Sequence, residues 1–216
     1  MPAISIILPT YKRAQVLGRA IRSILNQTFQ DFELIIIDDN SKDGTEEIVR
    51  GFNSEKIKYV CQEEKTSPAI ARNHGIQLAE GRYITFQDSD DEWMPNKLAR
   101  QFSELEKTPP EIGVVYCKSR VVTKKTEYYL PPEWITPIEG KIFRSLLRKS
   151  FIGSQMVMVK KECFEKVGLF NEQYAVYEDY DLFLRLSKLY LFRYIDEPLV
   201  IIYQQPDSIS RNQAST

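Results

Sequence analysis

A chain of 216 residues suits one domain, or one domain with a smaller lobe. Its hydrophobic content of 43% is enough for a core and excludes a disordered chain, while 29 basic against 30 acidic residues, net −1, exclude wholesale nucleic-acid binding. The cysteines (Cys61, Cys117 and Cys163) are too scattered for a metal centre and read as reduced thiols, and the lone His74 excludes a multi-histidine zinc site.

Ile4–Leu8 is almost wholly apolar and rich in β-branched residues, as in a strand buried on both faces of a parallel sheet. Neither a signal-peptide pattern nor an apolar run of about 20 residues is present, so a cytoplasmic location is expected. Pro9-Thr10-Tyr11 ends the strand, and Val16, Leu17, Ala20, Ile21, Ile24 and Leu25 follow helical spacing. Phe32–Ile37 is a second apolar strand, ended by Asp38-Asp39-Asn40-Ser41. A turn then leads to a helix that Asp43 or Thr45 could cap, and Ile57–Cys61 is a third strand. Ser67-Pro68 is a strong helix start, with Ile70, Ile76 and Leu78 continuing it and Gly81 at the expected C-terminal glycine position. Tyr83–Phe86 is the fourth strand. Strands thus alternate with helices, which implies a parallel, doubly wound sheet.

The second part is less regular. Pro95–Glu106 reads as an amphipathic helix and Ile112–Cys117 as a strand. Thr123–Glu139, with three prolines, reads as an ordered loop or lid. Phe143, Leu146 and Leu147 suggest a short helix, Gln155–Val159 a strand, and Lys161–Val167 a helix closed by Gly168. Asp179–Leu189 is a helix with Leu182, Leu186 and Leu189 inward. Phe192–Ile195 and Leu199–Tyr203 are short strands around Pro198, and the polar tail from Gln204 is expected to be loose.

Ligands of open parallel sheets bind beyond the carboxyl ends of the strands. Three polar clusters fall at such ends: Thr10-Tyr11, Asp38-Asp39, and Asp88, Asp90 and Asp91. In extended geometry Asp88 and Asp90 point the same way, so both can hold one hard cation, Mg²⁺ or Mn²⁺, that also binds substrate phosphates. The plainer alternative is a solvated acidic turn. Tyr11 offers a flat face to a nucleobase, or simply packs. Asp38 or Asp39 can accept from a base or ribose, with Asp38 the better candidate for merely ending the strand. Arg72 can meet a phosphate bidentately, or pair at the surface with Glu63 or Glu64. Tyr177-Glu178-Asp179-Tyr180-Asp181 sits at a helix start, where one acid caps the helix and another can serve as general base.

These residues resemble a known family. Ser5-Ile6-Ile7-Leu8-Pro9-Thr10-Tyr11, Ser23-Ile24-Leu25-Asn26-Gln27-Thr28-Phe29, Glu33-Leu34-Ile35-Ile36-Ile37-Asp38-Asp39-Asn40-Ser41, Ala71-Arg72-Asn73-His74-Gly75, Asp88-Ser89-Asp90-Asp91 and Glu178-Asp179-Tyr180-Asp181-Leu182 are similar, in order and spacing, to the family 2 glycosyltransferases. The resemblance implies a GT-A fold: an α/β domain whose Rossmann-like mixed, mainly parallel sheet is flanked by helices, with a smaller acceptor-side lobe. Residues 1–91 would be the nucleotide-sugar-binding half and 92–216 the acceptor-binding half.

The resemblance also implies inverting transfer of a sugar from a nucleoside-diphosphate donor, most often UDP-linked, to a hydroxyl of a glycan or lipid-linked acceptor in cell-surface polysaccharide synthesis. Thr10, Tyr11 and Asp39 match positions that hold the nucleotide base, and Arg72 a nucleotide-contacting arginine. Asp90 matches the direct ligand of Mn²⁺ or Mg²⁺, and Asp88 a contact to ribose or metal-bound water. Asp179 matches the catalytic base, with Glu178 the second choice, and Trp93 is placed to line the acceptor side. Many relatives carry a histidine near the C-terminal tyrosine. Tyr203-Gln204-Gln205-Pro206-Asp207-Ser208 has none, which leaves that histidine's metal or acceptor role without a carrier. Tyr128, Tyr129 and Trp134 could support peripheral contact with the inner membrane face.

Other functions fit less well. A nucleotidyltransferase needs a glycine-rich loop after the first strand, and Pro9-Thr10-Tyr11-Lys12-Arg13 has no glycine. A dinucleotide oxidoreductase lacks its G-x-G-x-x-G. A receiver-type phosphorylation domain would leave the Glu178 region unused. A catalytically silent nucleotide-binding scaffold is the non-enzyme alternative.

Overall fold

The computed structural model describes residues 1–204. The expectation of a loose tail concerns residues 205–216, outside the described part. Strands β1 (Ile4–Thr10), β2 (Phe32–Asp38), β3 (Ile57–Cys61) and β4 (Tyr83–Phe86) form the parallel block in the order β3-β2-β1-β4. They interleave with helices α1 (Ala14–Leu25), α2 (Thr45–Arg50) and α3 (Pro68–Leu78). β1 and most of β2 are buried on both faces, as crossover helices require. The strand order reverses about β1 and β4, which opens a crevice at their carboxyl ends.

The sheet then continues with mixed polarity. Beyond β4 lie β8 (Val157–Lys160), β6 (Ile112–Val122), β9 (Leu191–Tyr203) and β5 (Glu92–Trp93), with β7 (Glu127–Leu130) paired to β6. β8 runs antiparallel to both β4 and β6, whereas β6 and β9 are parallel. Helices α4 (Lys97–Lys107), α5 (Phe143–Arg148), α6 (Glu162–Val167) and α7 (Glu178–Leu189) complete the described part. One continuous sheet therefore runs through both halves.

Local chemistry explains several departures from expectation. The strands expected on either side of Pro198 are one bulged strand, β9. Pro198 falls opposite Lys118 at a shift in register, where no ladder N–H is required of it. Part of the expected lid is β7, joined to β6 through the Thr123–Thr126 turn. Gln155 belongs to a 3₁₀ turn, Ser154–Met156, that precedes β8. Neither Asp43 nor Thr45 caps α2, whose N-cap is Gly44 at φ 86°. The Asp43 carboxylate instead accepts from Ala14 N at 3.2 Å and thereby caps α1. Gly81 does not close α3, which ends at Leu78. A Cβ on Gly81 would lie 2.6 Å from Ser5 N, so glycine is needed there for close packing on β1. Leu189 is 61% exposed, not inward, because α7 ends there and Tyr190 turns into the sheet.

Candidate functional site

A cleft of about 660 Å³ opens at the carboxyl ends of β1, β2 and β4. Thr10, Tyr11, Asp39, Arg72, Asp88, Asp90, Glu178 and Asp179 all line it, although as many as 169 positions separate them in sequence. Trp93 does not. It is 2% exposed and packed in the core with the Lys97 ammonium 3.9 Å from its ring, so the expectation that it lines the acceptor side is corrected.

At the end of β1, Thr10 is buried and its Oγ1 has no hydrogen-bond partner among the described residues. A buried hydroxyl in that state at a cleft wall fits a ligand contact. Asp39 accepts on Oδ1 from Thr66 N (2.7 Å), Thr66 Oγ1 (2.6 Å) and Gln62 Nε2 (2.9 Å). Three donors on one oxygen fix the carboxylate's orientation and leave Oδ2 without a bond among the described residues. Asp38 has the structural role expected of it, accepting from Ser41 N at 2.9 Å and Tyr59 OH at 2.5 Å. The face of Tyr11 carries Lys65 Nζ at 4.6 Å, a cation–π contact that sequence reasoning missed.

The acidic segment is not extended. Asp91 N bonds to Asp88 O at 3.1 Å and closes a turn, so the argument from strand alternation fails. Asp88 and Asp90 still reach the same cleft. Asp91 is only 3% exposed and accepts from Gln155 Nε2 and Tyr203 N, both at 3.0 Å. Burial, together with Asp88 and Asp90, raises its pKa well above the ordinary value. Asp91 thus ties the acidic turn to the 3₁₀ turn and to the end of β9. Burial and the charge of Asp88 also raise the Asp90 pKa, against the opposing charges of Arg13 and Arg19.

Arg72 links the two sides. Ser67 caps α3 by accepting from Ile70 N at 3.3 Å, and Arg72 follows one turn later, 5% exposed. Its Nη1 donates to Glu178 Oε1 at 2.6 Å, and its Nη2 to Asp88 Oδ1 at 2.9 Å and Ser154 Oγ at 3.3 Å. The charges of Asp88 and Glu178 outweigh burial and hold Arg72 above its usual pKa. The surface pair with Glu63 or Glu64 does not form.

Asp179 stands in the first turn of α7, behind Tyr177 at φ 63°. A non-glycine residue in the left-handed region is costly and clusters at functional sites. The Asp179 pKa is pushed up to about 6, first by burial and then by the charge of Glu178, with Arg72 opposing. Tyr180 N donates to Asp179 Oδ1 at 2.7 Å. Oδ2 has no bond among the described residues, and Asp179 lines the cleft.

Residues 5–168 match the model of the family described as Glycosyl transferase family 2. The chain is similar to the UDP-Glc:alpha-D-GlcNAc-diphosphoundecaprenol beta-1,3-glucosyltransferase WfgD of Escherichia coli, 32% identical over 86% of this chain and 70% of that protein. It spans 67% of the length of an uncharacterized glycosyltransferase of Rickettsia typhi and 34% of one from Rickettsia felis. Among solved structures, S. aureus TarS 1-349 in complex with UDP-GlcNAc superposes with TM-score 0.76 at 20% identity, over 95% of this chain and 59% of that one. Mannosyltransferase PcManGT from Pyrobaculum calidifontis, in complex with GDP-Man and Mn²⁺, gives TM-score 0.70 at 22% identity, over 96% and 58%. These structural likenesses establish the GT-A fold. The family match covers most of the chain, which therefore belongs to the glycosyl transferase family 2.

Proposed function

We propose that this chain transfers a sugar from a nucleoside-diphosphate sugar, UDP-linked by preference, to a hydroxyl of a glycan or lipid-linked acceptor, with inversion at the anomeric carbon. The observation that carries the reading is the Arg72 bridge. One buried guanidinium holds Asp88 of the acidic turn and Glu178 beside Asp179, which brings a diphosphate-side carboxylate and a candidate base to one cleft. A WfgD-like activity would place the work in cell-surface polysaccharide synthesis at the inner membrane face. Residues 1–91 would bind the donor and 92–216 the acceptor.

Donor binding falls to the ends of β1 and β2. Tyr11 offers its ring to the base, while Thr10 Oγ1 and Asp39 Oδ2 bond to polar atoms of the nucleoside. Asp90, with Asp88, is suited to hold Mn²⁺ or Mg²⁺. Two crowded carboxylates, one with a raised pKa, are relieved by a cation, and oxygen donors suit a hard one. Among the described residues no group of three or more His, Cys, Asp or Glu could hold a metal ion. A cation held by two carboxylates would complete its shell from substrate phosphates and water. When bound, such an ion neutralises charge on the departing diphosphate.

Asp179 is the base, because Arg72 occupies Glu178. Its Oδ2 removes the proton from the acceptor hydroxyl as that oxygen bonds to the anomeric carbon. The bond to the diphosphate breaks on the opposite face, and the leaving group departs with the electron pair. A pKa near 6 makes Asp179 a better base than an ordinary carboxylate of pKa about 4, and general-base help is worth about 10²–10⁴-fold.

Incubation with radiolabelled UDP-, GDP- and dTDP-sugars tests the reading. Metal-dependent sugar release from one of them is expected. Binding of a nucleotide sugar without any release, with or without candidate acceptors, would identify the silent scaffold instead.

A further inference from the structure

Charge is unevenly distributed along this nearly neutral chain. Residues 118–149 carry eight Lys or Arg against three Glu, while the chain as a whole is at −1. This segment comprises β6 from Lys118 onward, β7, the connection to α5, and α5 itself. Lys118 and Arg120 are paired with Asp196 and Glu127. Lys124, Lys125, Lys141, Arg144, Arg148 and Lys149 are all exposed and have no carboxylate partner among the described residues.

Exposed aromatic and aliphatic groups accompany them. Trp134 is 64% exposed, Leu147 55%, and Tyr128 and Tyr129 nearly half. Lys149 Nζ lies 5.4 Å from the Trp134 ring, which joins the end of α5 to the connection after β7. The patch also reaches the cleft: Tyr128 and Leu130 of β7, and Ser150 just after α5, line its wall. Unpaired cations beside amphipathic rings are the pattern that settles at a lipid headgroup layer, where the rings insert and the cations meet anionic lipid.

We propose that this face, formed by β7, its turn and α5, docks on an anionic bilayer and holds the cleft mouth against the membrane surface. The proposal rests on the transferase reading only for what the cleft then receives, namely a lipid-linked acceptor. Charge complementarity selects the occupant. A neutral protein partner would leave six cations without counter-charge.

The test uses the whole chain with vesicles of phosphatidylcholine, with or without about 30% phosphatidylglycerol. Co-sedimentation is expected only with the anionic vesicles, reversed as salt rises from about 0.1 to about 0.5 M. Tryptophan emission should shift to the blue on binding and should not shift in Trp134→Phe, since Trp93 is already buried. The variant Lys124→Glu/Lys125→Glu/Arg148→Glu/Lys149→Glu should bind about tenfold or more weaker while keeping the same thermal shift with UDP. Equal binding to neutral vesicles overturns the proposal. So does wild-type binding that salt leaves unchanged, which requires no variant to fold. Binding to a soluble acidic polysaccharide such as heparin but not to anionic vesicles assigns the patch to an anionic glycan instead. The vesicles hold no donor or acceptor, so failure here leaves the transfer reading untouched, and failure of transfer leaves this one.

Discussion

Glu178 and Asp179 are neighbours in sequence, yet the structure gives them opposite circumstances. Glu178 is ion-paired to Arg72, and Asp179 keeps an oxygen without a bond among the described residues, in a setting that disfavours its charge. Asp179→Asn should therefore abolish turnover while leaving donor binding intact. It should also stabilise the fold. The folded-state pKa of about 6 lies above the ordinary value, so the native state binds the extra proton and stability falls as pH rises from about 4 through 6. The asparagine variant escapes that loss. Its gain should be near zero at pH 4 and reach about 3 kcal/mol above pH 7, read by denaturant melts. In the wild type, kcat/KM should decline on the acid side with a midpoint near pH 6. Turnover unchanged in the asparagine variant would remove Asp179 as base.

Lys97 offers a second test at this scale. It is fully buried, bonded to Gln101 Oε1 at 2.6 Å and Thr85 Oγ1 at 3.2 Å, with no carboxylate partner among the described residues. Burial lowers its pKa to about 7, so the unfolded state holds more protons between pH 7 and 10 and stability rises with pH across that window. Lys97→Met loses two hydrogen bonds at every pH but sheds the desolvation penalty only where the wild type is penalised. Its stability relative to wild type should fall as pH rises from 6 to 10. A difference independent of pH would show that Lys97 does not titrate in this window.

At the scale of elements, the site depends on how closely α3 lies on β1. A Cβ added to Gly75 would meet Ile7 Cγ2 at 2.5 Å, and Ile7 is fully buried in the sheet. Gly75→Ala should push α3 outward and cost about 1–3 kcal/mol by overpacking. Because Arg72 rides on the same helix, donor affinity should fall with stability. An alanine variant as stable as wild type would mean that α3 is not held this tightly. The helix is legible in sequence from Ser67-Pro68, since capping is a local interaction. The Arg72 bridge is not legible, because its partners lie 16 and 106 positions away. Asp91 is a similar case. The sequence shows a third carboxylate, but its partners Gln155 and Tyr203 come from elements whose approach no local pattern encodes.

For the whole molecule, the cleft draws on both the parallel block and the mixed half, so a ligand that fills it bridges them. UDP with Mn²⁺ should raise the melting temperature more than UDP alone, since a ligand that binds only the native state stabilises it by mass action. At a hundredfold excess over Kd the gain is about 2.7 kcal/mol, a shift of several degrees. Asp90→Ala should keep the shift with UDP alone and lose the increment that Mn²⁺ adds. An undiminished increment would move the metal away from Asp90.

The sequence by itself determined the alternation of buried strands and helices, the polar clusters that end the strands, and through them the family. Those features are written in nearest neighbours and short periods, where hydrophobic spacing and capping act. Only the tertiary structure decided that β8 enters against the direction of β4, that Trp93 turns into the core, and that Arg72 takes Glu178 and leaves Asp179 open. Each of those outcomes is a competition for space and charge between segments distant in the chain, and only packing brings the competitors together.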